Sequence, residues 1–259
     1  MGTAGFSYPD WRGVFYPNGV KREGYLEYYS QRFPCVEIDY TYYRQPVPRT
    51  MAAMAKKVPG SFRFTVKAHR TLTHEIPPGQ ALDNEVETFI AGVMPVAEAG
   101  KLGCVLFQFP WSFRFTKANL DYSLSLKERV PVAPPVIEFR NREWARDDVY
   151  RALRESGVAF CSVDEPDLKT LFPRILMVTA NPGYLRFHGR NAKKWFNHRE
   201  AWERYDYLYT EQDLQGFVSE IRRMSSQAED TYVLFNNCHR GQAAVNALRM
   251  QEILLDEIC

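Results

Sequence analysis

Val136-Ile-Glu-Phe-Arg140 decides the fold. The stretch reads as a strand, yet Glu138 and Arg140 stand two residues apart in it. Side chains on a strand alternate faces, so both charges point the same way, together with Val136. Ile137 and Phe139 take the other face. A strand with large apolar groups on one side and an acid and a base on the other suits a barrel wall. The apolar side packs under helices and the polar side looks inward near the mouth. Glu and Arg are rarely fully buried unless paired. Glu138 is therefore expected within ion-pair reach of Arg140, Lys67 or Arg186. The pair serves either a structural ion network or a ligand.

On either side of this strand the chain alternates between the two periodicities. Strands are expected over residues 2–8, 36–43, 62–69, 104–109, 136–140, 159–164, 184–188 and 232–236. Helices are expected over 21–32, 47–58, 82–99, 119–130, 143–155, 212–225 and 243–255, with a Thr-, His- and Pro-rich loop running to Gly79. Alternating strand and helix predicts a parallel sheet. Eight such strands predict closure into a TIM-like (β/α)8 barrel, and no linker or composition break divides residues 1–259. An open doubly wound sheet would carry a G-x-G-x-x-G loop after its first strand, and none follows Gly2 and Gly5. The first strand starts directly after Met1, so a residue or two is expected to be missing upstream.

The chain has 259 residues, ordinary for an α/β barrel of about 250. Its formal net charge is +2, so any basic site must be local rather than global. No apolar run spans a membrane and the start has no signal-peptide layout, which predicts a cytoplasmic protein without a membrane partner. Cys35, Cys104, Cys161, Cys238 and Cys259 form no C-x-x-C pair and are expected reduced. No phosphate loop, nucleotide-cofactor fingerprint, zinc-protease helix or nucleophile elbow occurs. Scattered Glu, Asp and His ligands on several strands need no sequence spacing, so the sequence leaves a divalent metal open.

In such a barrel the active site lies at the carboxyl ends of the strands. Those ends carry Trp11, Tyr43, Lys67, His69, Gln108, Glu138, Arg140, Asp164, Arg186, His188, Arg190, Asn236 and Asn237. Each has a plain structural alternative. His188 serves the barrel wall or the chemistry. Asp164, followed by Glu165-Pro166, is a loop cap or a catalytic carboxylate. Asn236 and Asn237 bind a ligand or tie down a loop.

The strings at these ends resemble those of the DUF72 (YecE-like) family. They are Gly2-Thr-Ala-Gly-Phe-Ser-Tyr-Pro-Asp-Trp11, Val36-Glu-Ile-Asp-Tyr-Thr-Tyr-Tyr43, Phe64-Thr-Val-Lys-Ala-His-Arg70 and Phe107-Gln-Phe-Pro110. Glu138-Phe-Arg140, Leu185-Arg-Phe-His-Gly-Arg190, Phe235-Asn-Asn237 and Asn246-Ala-Leu248 add to them. The resemblance spans the chain and implies a TIM-like barrel, with no reaction attached. Asn141-Arg142 stands where the family often has His-Pro, so no role for that histidine carries over. Asp39 stands where the family commonly has Asn.

Three functions compete. The favoured one is an enzyme acting on a phosphorylated or other anionic substrate by hydrolase-like acid/base chemistry. Glu138, His188 and Asp164 are its candidate catalytic groups, and the remaining strand-end residues bind the substrate. Its anion is expected at the ends of the seventh and eighth strands, on Arg190, Arg186 and the Asn236-Asn237 amides beside Gly189 and Gly241. The others are a non-catalytic anion-binding barrel and a nucleic-acid binder built on Arg190, Lys193, Lys194 and Trp195.

Overall fold

The computed structural model describes residues 1–77, 79 and 81–256. Pro78, at the end of the Thr- and His-rich loop, and Cys259 lie outside the described residues. Eight strands make one sheet: β1 (Gly2–Thr3), β2 (Cys35–Ile38), β3 (Arg63–Lys67), β4 (Leu102–Gln108), β5 (Pro135–Glu138), β6 (Ala159–Asp164), β7 (Gly183–Phe187) and β8 (Thr231–Phe235). All neighbours are parallel, in the order β1-β8-β7-β6-β5-β4-β3-β2. A parallel bridge between Ala4 and Glu37, with Gly5 N–H donating to Glu37 O at 2.8 Å, brings β1 against β2 and completes the barrel.

The helices are α1 (Tyr25–Ser30), α2 (Pro48–Lys56), α3 (Asp83–Glu98), α4 (Lys117–Arg129), α5 (Asp147–Glu155), α6 (Glu211–Gln215), α7 (Val218–Gln227) and α8 (Gln242–Asp256). Their ends follow local chemistry. Thr116 caps α4 by accepting Asn119 N–H at 3.1 Å. Thr210 and Asp213 form a reciprocal capping box on α6. Gly157 ends α5 with φ of 62°, a conformation costly for other residues.

The two-faced reading of β5 holds. Phe139 turns outward and stacks on Trp144 at 4.0 Å, in the layer under the helices. Glu138 turns inward and is fully buried.

Several boundaries differ from expectation. The first strand is two residues long rather than running to Tyr8. β2 stops at Ile38, because residues Tyr40–Tyr42 coil into a single 3-10 turn. Thr41 fixes that turn, donating to Ile38 O at 3.1 Å and Lys67 O at 2.6 Å. Arg140 and His188 each lie just beyond a strand end rather than within it. The helix expected over 212–225 breaks at Gly216-Phe217 into α6 and α7. No helix covers the 165–182 crossover.

The loop before α2 packs so closely on α3 that a Cβ on Gly92 of α3 would stand 2.3 Å from Pro46 O. That neighbour is backbone and cannot swing aside. Gly92→Ala should therefore cost about 1–3 kcal/mol of stability in urea unfolding; an unchanged midpoint would show that the loop carrying Pro46 can move off α3 freely.

Candidate active site

The barrel interior is held by charge. Arg186 on β7 is among the largest fully buried side chains. Its Nη2 donates to Glu37 Oε1 on β2 and its Nη1 to Glu138 Oε2 on β5, both at 2.6 Å. One guanidinium thus ties three strands across the barrel. Tyr184 adds a hydrogen bond to Glu37 Oε2 at 2.8 Å, and Thr65 meets Tyr184 Oη at 2.9 Å. Toward the mouth, Arg140 Nε donates to Glu138 Oε1, and Arg140 Nη1 donates to Glu165 Oε2 at 2.9 Å. Glu138 thus makes the ion pairs expected of it with both Arg140 and Arg186.

Burial sets the proton affinities here. It works against the Glu138 carboxylate, but Arg140 and Arg186 outweigh it and hold Glu138 well below the usual range. Burial raises Glu37, only partly opposed by Arg186. It raises Glu165 to about 7 despite Arg140. Burial, with Arg186 nearby, lowers Lys67 to about 8. His188 is fully buried, and burial together with Arg140 keeps it neutral. Its Nδ1 accepts from Asn236 Nδ2 at 3.0 Å, which leaves the proton on Nε2. That atom stands 3.3 Å from Glu138 Oε1, out of hydrogen-bond alignment.

Two chambers open at the carboxyl ends of the strands. The larger, of about 410 Å³, is lined by Lys67, Gln108 and Arg140 from the strand ends. Tyr43, His74 and Trp111 from the loops, and Trp195, Phe196, Arg204 and Tyr205 from the long β7–α6 connection, complete it. No carboxylate lines it among the described residues. The smaller, of about 240 Å³, shares Tyr43, Lys67, Arg140, Ala201 and Tyr205 with the first and adds Asp39, Arg186, Asn236 and His239. Lys67 is steadied by Gln108 Oε1 at 2.8 Å and lies 4.3 Å above the Tyr42 ring. Arg204 meets His198 Nε2 at 2.7 Å, while its buried Nε has no hydrogen-bond partner.

The sequence-predicted residues divide accordingly. Tyr43, Lys67, Gln108, Arg140, Arg186 and Asn236 converge on the chambers. Glu138 and His188 sit directly beneath, closed to solvent. The others go elsewhere. Arg190 spends its fork on Asp164, at 2.8 and 3.0 Å, and on Asp213 at 2.8 Å, so the anion site expected on it is replaced by an internal ion pair. Asp164 is buried in that pair and accepts from Tyr209 Oη at 2.6 Å, making it a clasp for the β7–α6 connection. Asn237 ties a loop through Tyr207 O at 2.8 Å and Asn246 Oδ1 at 2.9 Å. His69 caps a 3-10 turn through Thr71. Trp11 is buried, with its indole N–H on Cys238 O at 2.7 Å.

Among the described residues no three His, Cys, Asp or Glu side chains converge as metal ligands. Cys35, Cys104, Cys161 and Cys238 are free thiols. No helix of the described residues is long and apolar enough to cross a membrane. Sequence reading passed over Glu37 and Glu165 as site residues. Glu37 had a signal, an acid inside the apolar run Cys35–Ile38. Arg204 and Tyr205 had none, since they reach the mouth on a connection without periodicity; Trp195 was expected only as part of a nucleic-acid surface.

Fold and site together define a single-domain TIM-like barrel with a polar, aromatic-walled mouth. The chain belongs to the DUF72 family: the family's sequence model, described as a protein of unknown function, matches residues 1–258. UPF0759 protein YunF of Bacillus subtilis (strain 168) is 33% identical, across 92% of this chain and 89% of its own. The crystal structure of a DUF72 family protein from Thermotoga maritima MSB8 is 41% identical, with a TM-score of 0.90 over 98% of this chain and 97% of that one. That of a DUF72 family protein from Enterococcus faecalis V583 is 29% identical, with a TM-score of 0.86 over 98% and 94%.

Glu138→Gln keeps the shape but leaves two buried guanidiniums short of counter-charge. It should lower stability by about 3–5 kcal/mol at neutral pH. Because the native carboxyl titrates well below the usual 4.5, its stabilisation is complete above that pH and fades as pH falls further. The gap between wild type and variant in urea unfolding should therefore close in acid. A gap constant down to pH 3 would contradict the ion-pair role.

Proposed function

We propose that this barrel is an enzyme acting on a phosphorylated or other anionic substrate at its carboxyl-end mouth. The observation that carries the reading is the larger chamber: Lys67, Arg140 and Arg204 line it and no carboxylate does, among the described residues. Cations facing a semi-enclosed space that no carboxylate lines attract an anion. Arg140 suits the task because Glu138 and Glu165 fix its plane.

The proton-moving group in this reading is Lys67 rather than Glu138 or His188. Glu138 has both oxygens on guanidiniums, and His188 is sealed beneath it. Lys67 lines both chambers, and with a pKa of about 8 it exists in both protonation states near neutral pH. Charged, it holds the anion together with Arg140 and Arg204; neutral, it accepts a proton from the water that attacks phosphorus, and the resulting ammonium returns that proton to the alkoxide released when the ester P–O bond breaks. The same engagement of Glu138 and His188 favours the second reading, a non-catalytic barrel that only binds the anion. Release of inorganic phosphate from a phosphate ester, abolished by Lys67→Met, would separate the first from the second.

Sulfate at constant ionic strength should raise the melting temperature, as a native-state ligand must. Lys67→Met should lose most of the rise, and Arg190→Ala should keep it, each measured against its own ligand-free value. Loss with Arg190→Ala alone would move the site away from the mouth.

Sulfate keeps a fixed charge across the alkaline range, so any pH dependence of its affinity comes from the protein's own groups. Protonated Lys67 favours the anion, so affinity should fall as pH rises through about 8. Lys67→Met should flatten that fall in a calorimetric titration; an identical slope would assign the titration to another group.

A further inference from the structure

Five aromatic side chains are exposed among the described residues: Tyr40, Tyr43, Trp111, Phe196 and Trp202. Only Tyr40 lines neither mouth chamber. Tyr43 is 70% exposed, Phe196 59% and Trp111 45%, and all three stand around the larger chamber, with buried Trp195 and half-buried Tyr205 behind them. Large apolar rings left in water at one place mark a binding surface rather than a random scatter. These rings are spread over separate segments. Tyr43 follows β2, Trp111 follows β4, and Phe196 comes from the β7–α6 connection. Trp111 and Phe196 meet edge to face at 6.3 Å, and Trp195 and Tyr205 at 5.9 Å, so the wall holds its own shape.

Cations and rings occupy different depths of one space. Lys67 and Arg140 form the floor from the strand ends, and the exposed rings form the rim. A compact inorganic anion fills only the floor. We propose that the substrate is a small anion carrying a flat ring, an aryl or nucleobase phosphate, with its phosphate on Lys67 and Arg140 and its ring between Tyr43, Trp111 and Phe196. This rests on the anionic-substrate reading above and adds the chemistry of the substrate's other half. The chamber's volume of about 410 Å³ suits a molecule of that size. A nucleic-acid strand needs a basic track along its backbone. The basic run expected to supply one does not, since Arg190 is paired to Asp164 and Asp213 and Lys194 to Glu203 at 2.6 Å.

The test is calorimetric titration of the full chain, at constant ionic strength, with inorganic phosphate, glycerol 3-phosphate and phenyl phosphate. Ring stacking should make phenyl phosphate bind about tenfold or more tighter than glycerol 3-phosphate. Phe196→Ala and Tyr43→Ala remove rings that are mostly in solvent, so both variants should fold. Each should weaken phenyl phosphate more than inorganic phosphate. If inorganic phosphate binds but the two esters bind equally, the ring assignment falls and the anion reading stands. If no phosphate binds, the anion reading falls and takes this one with it. An oligothymidylate that binds more tightly than thymidine monophosphate overturns the small-ligand assignment.

Discussion

Everything inside this barrel depends on Arg186 finding two carboxylates at once. A guanidinium taken out of water costs several kcal/mol unless its donors are met. Glu37 and Glu138 meet two of them at 2.6 Å from strands on either side of the barrel. Each acid is spread further: Glu37 takes Tyr184, and Glu138 takes Arg140. Low polarity strengthens each of these bonds and penalises each gap, and the buried Nε of Arg186 is one such gap, without a hydrogen-bond partner among the described residues. The network fixes the relative position of β2, β5 and β7 more tightly than apolar layers alone, which tolerate sliding.

The network also determines what reaches the mouth. Glu138 offers one oxygen inward to Arg186 and one outward to Arg140. Through the second oxygen the internal frame sets the orientation of a guanidinium that lines both chambers. Above it, the β7–α6 connection forms a roof built on its own contacts. Lys194 pairs with Glu203, Asn191 donates to Glu203 O and Asp206 O at 3.0 and 3.2 Å, and Trp202 stacks on His239 at 4.0 Å. The pair of Arg190 with Asp164 pins the roof's start to the end of β6. Charges that read in the sequence as a ligand site are therefore what holds the ligand chamber's cover in place.

The fold was legible because its signals are periodic and local. Alternation on β5 put Ile137 and Phe139 outside and Glu138 inside, and the eight strands fall where their apolar runs stand. Strand ends were less legible. The 3-10 turn at Tyr40–Tyr42 follows from tertiary bonds of Thr41 to Ile38 and Lys67, which no local pattern carries. At the site, strand-borne groups such as Lys67, Gln108 and Arg140 were found because strand position fixes direction. Arg190 and Asp164 pair with each other and with Asp213 and Tyr209, which lie on a distant segment that no local pattern announces. Arg204 and Tyr205 escaped notice for the same reason, and Trp195 was read only as part of a nucleic-acid surface.

Donor counting explains why Lys67 stands apart from the other charged groups around it. Arg186 uses two donor nitrogens on the frame, Arg140 uses two on Glu138 and Glu165, and Glu138 has one guanidinium on each oxygen. These groups hold position because each is tied by two charged bonds. An ammonium has three donors. Among the hydrogen bonds of the described residues, Lys67 makes one, to Gln108, and its remaining contact is the face of Tyr42. It is thus the strand-borne cation at the mouth that no carboxylate holds, with two of its three donors left for a ligand. The same shortage of partners lowers its proton affinity: burial removes water, Arg186 repels the charge, and no carboxylate contacts it directly to restore the balance. A frame that ties down its own charges and leaves one cation short of partners at the opening combines a rigid interior with unfilled donors at the mouth.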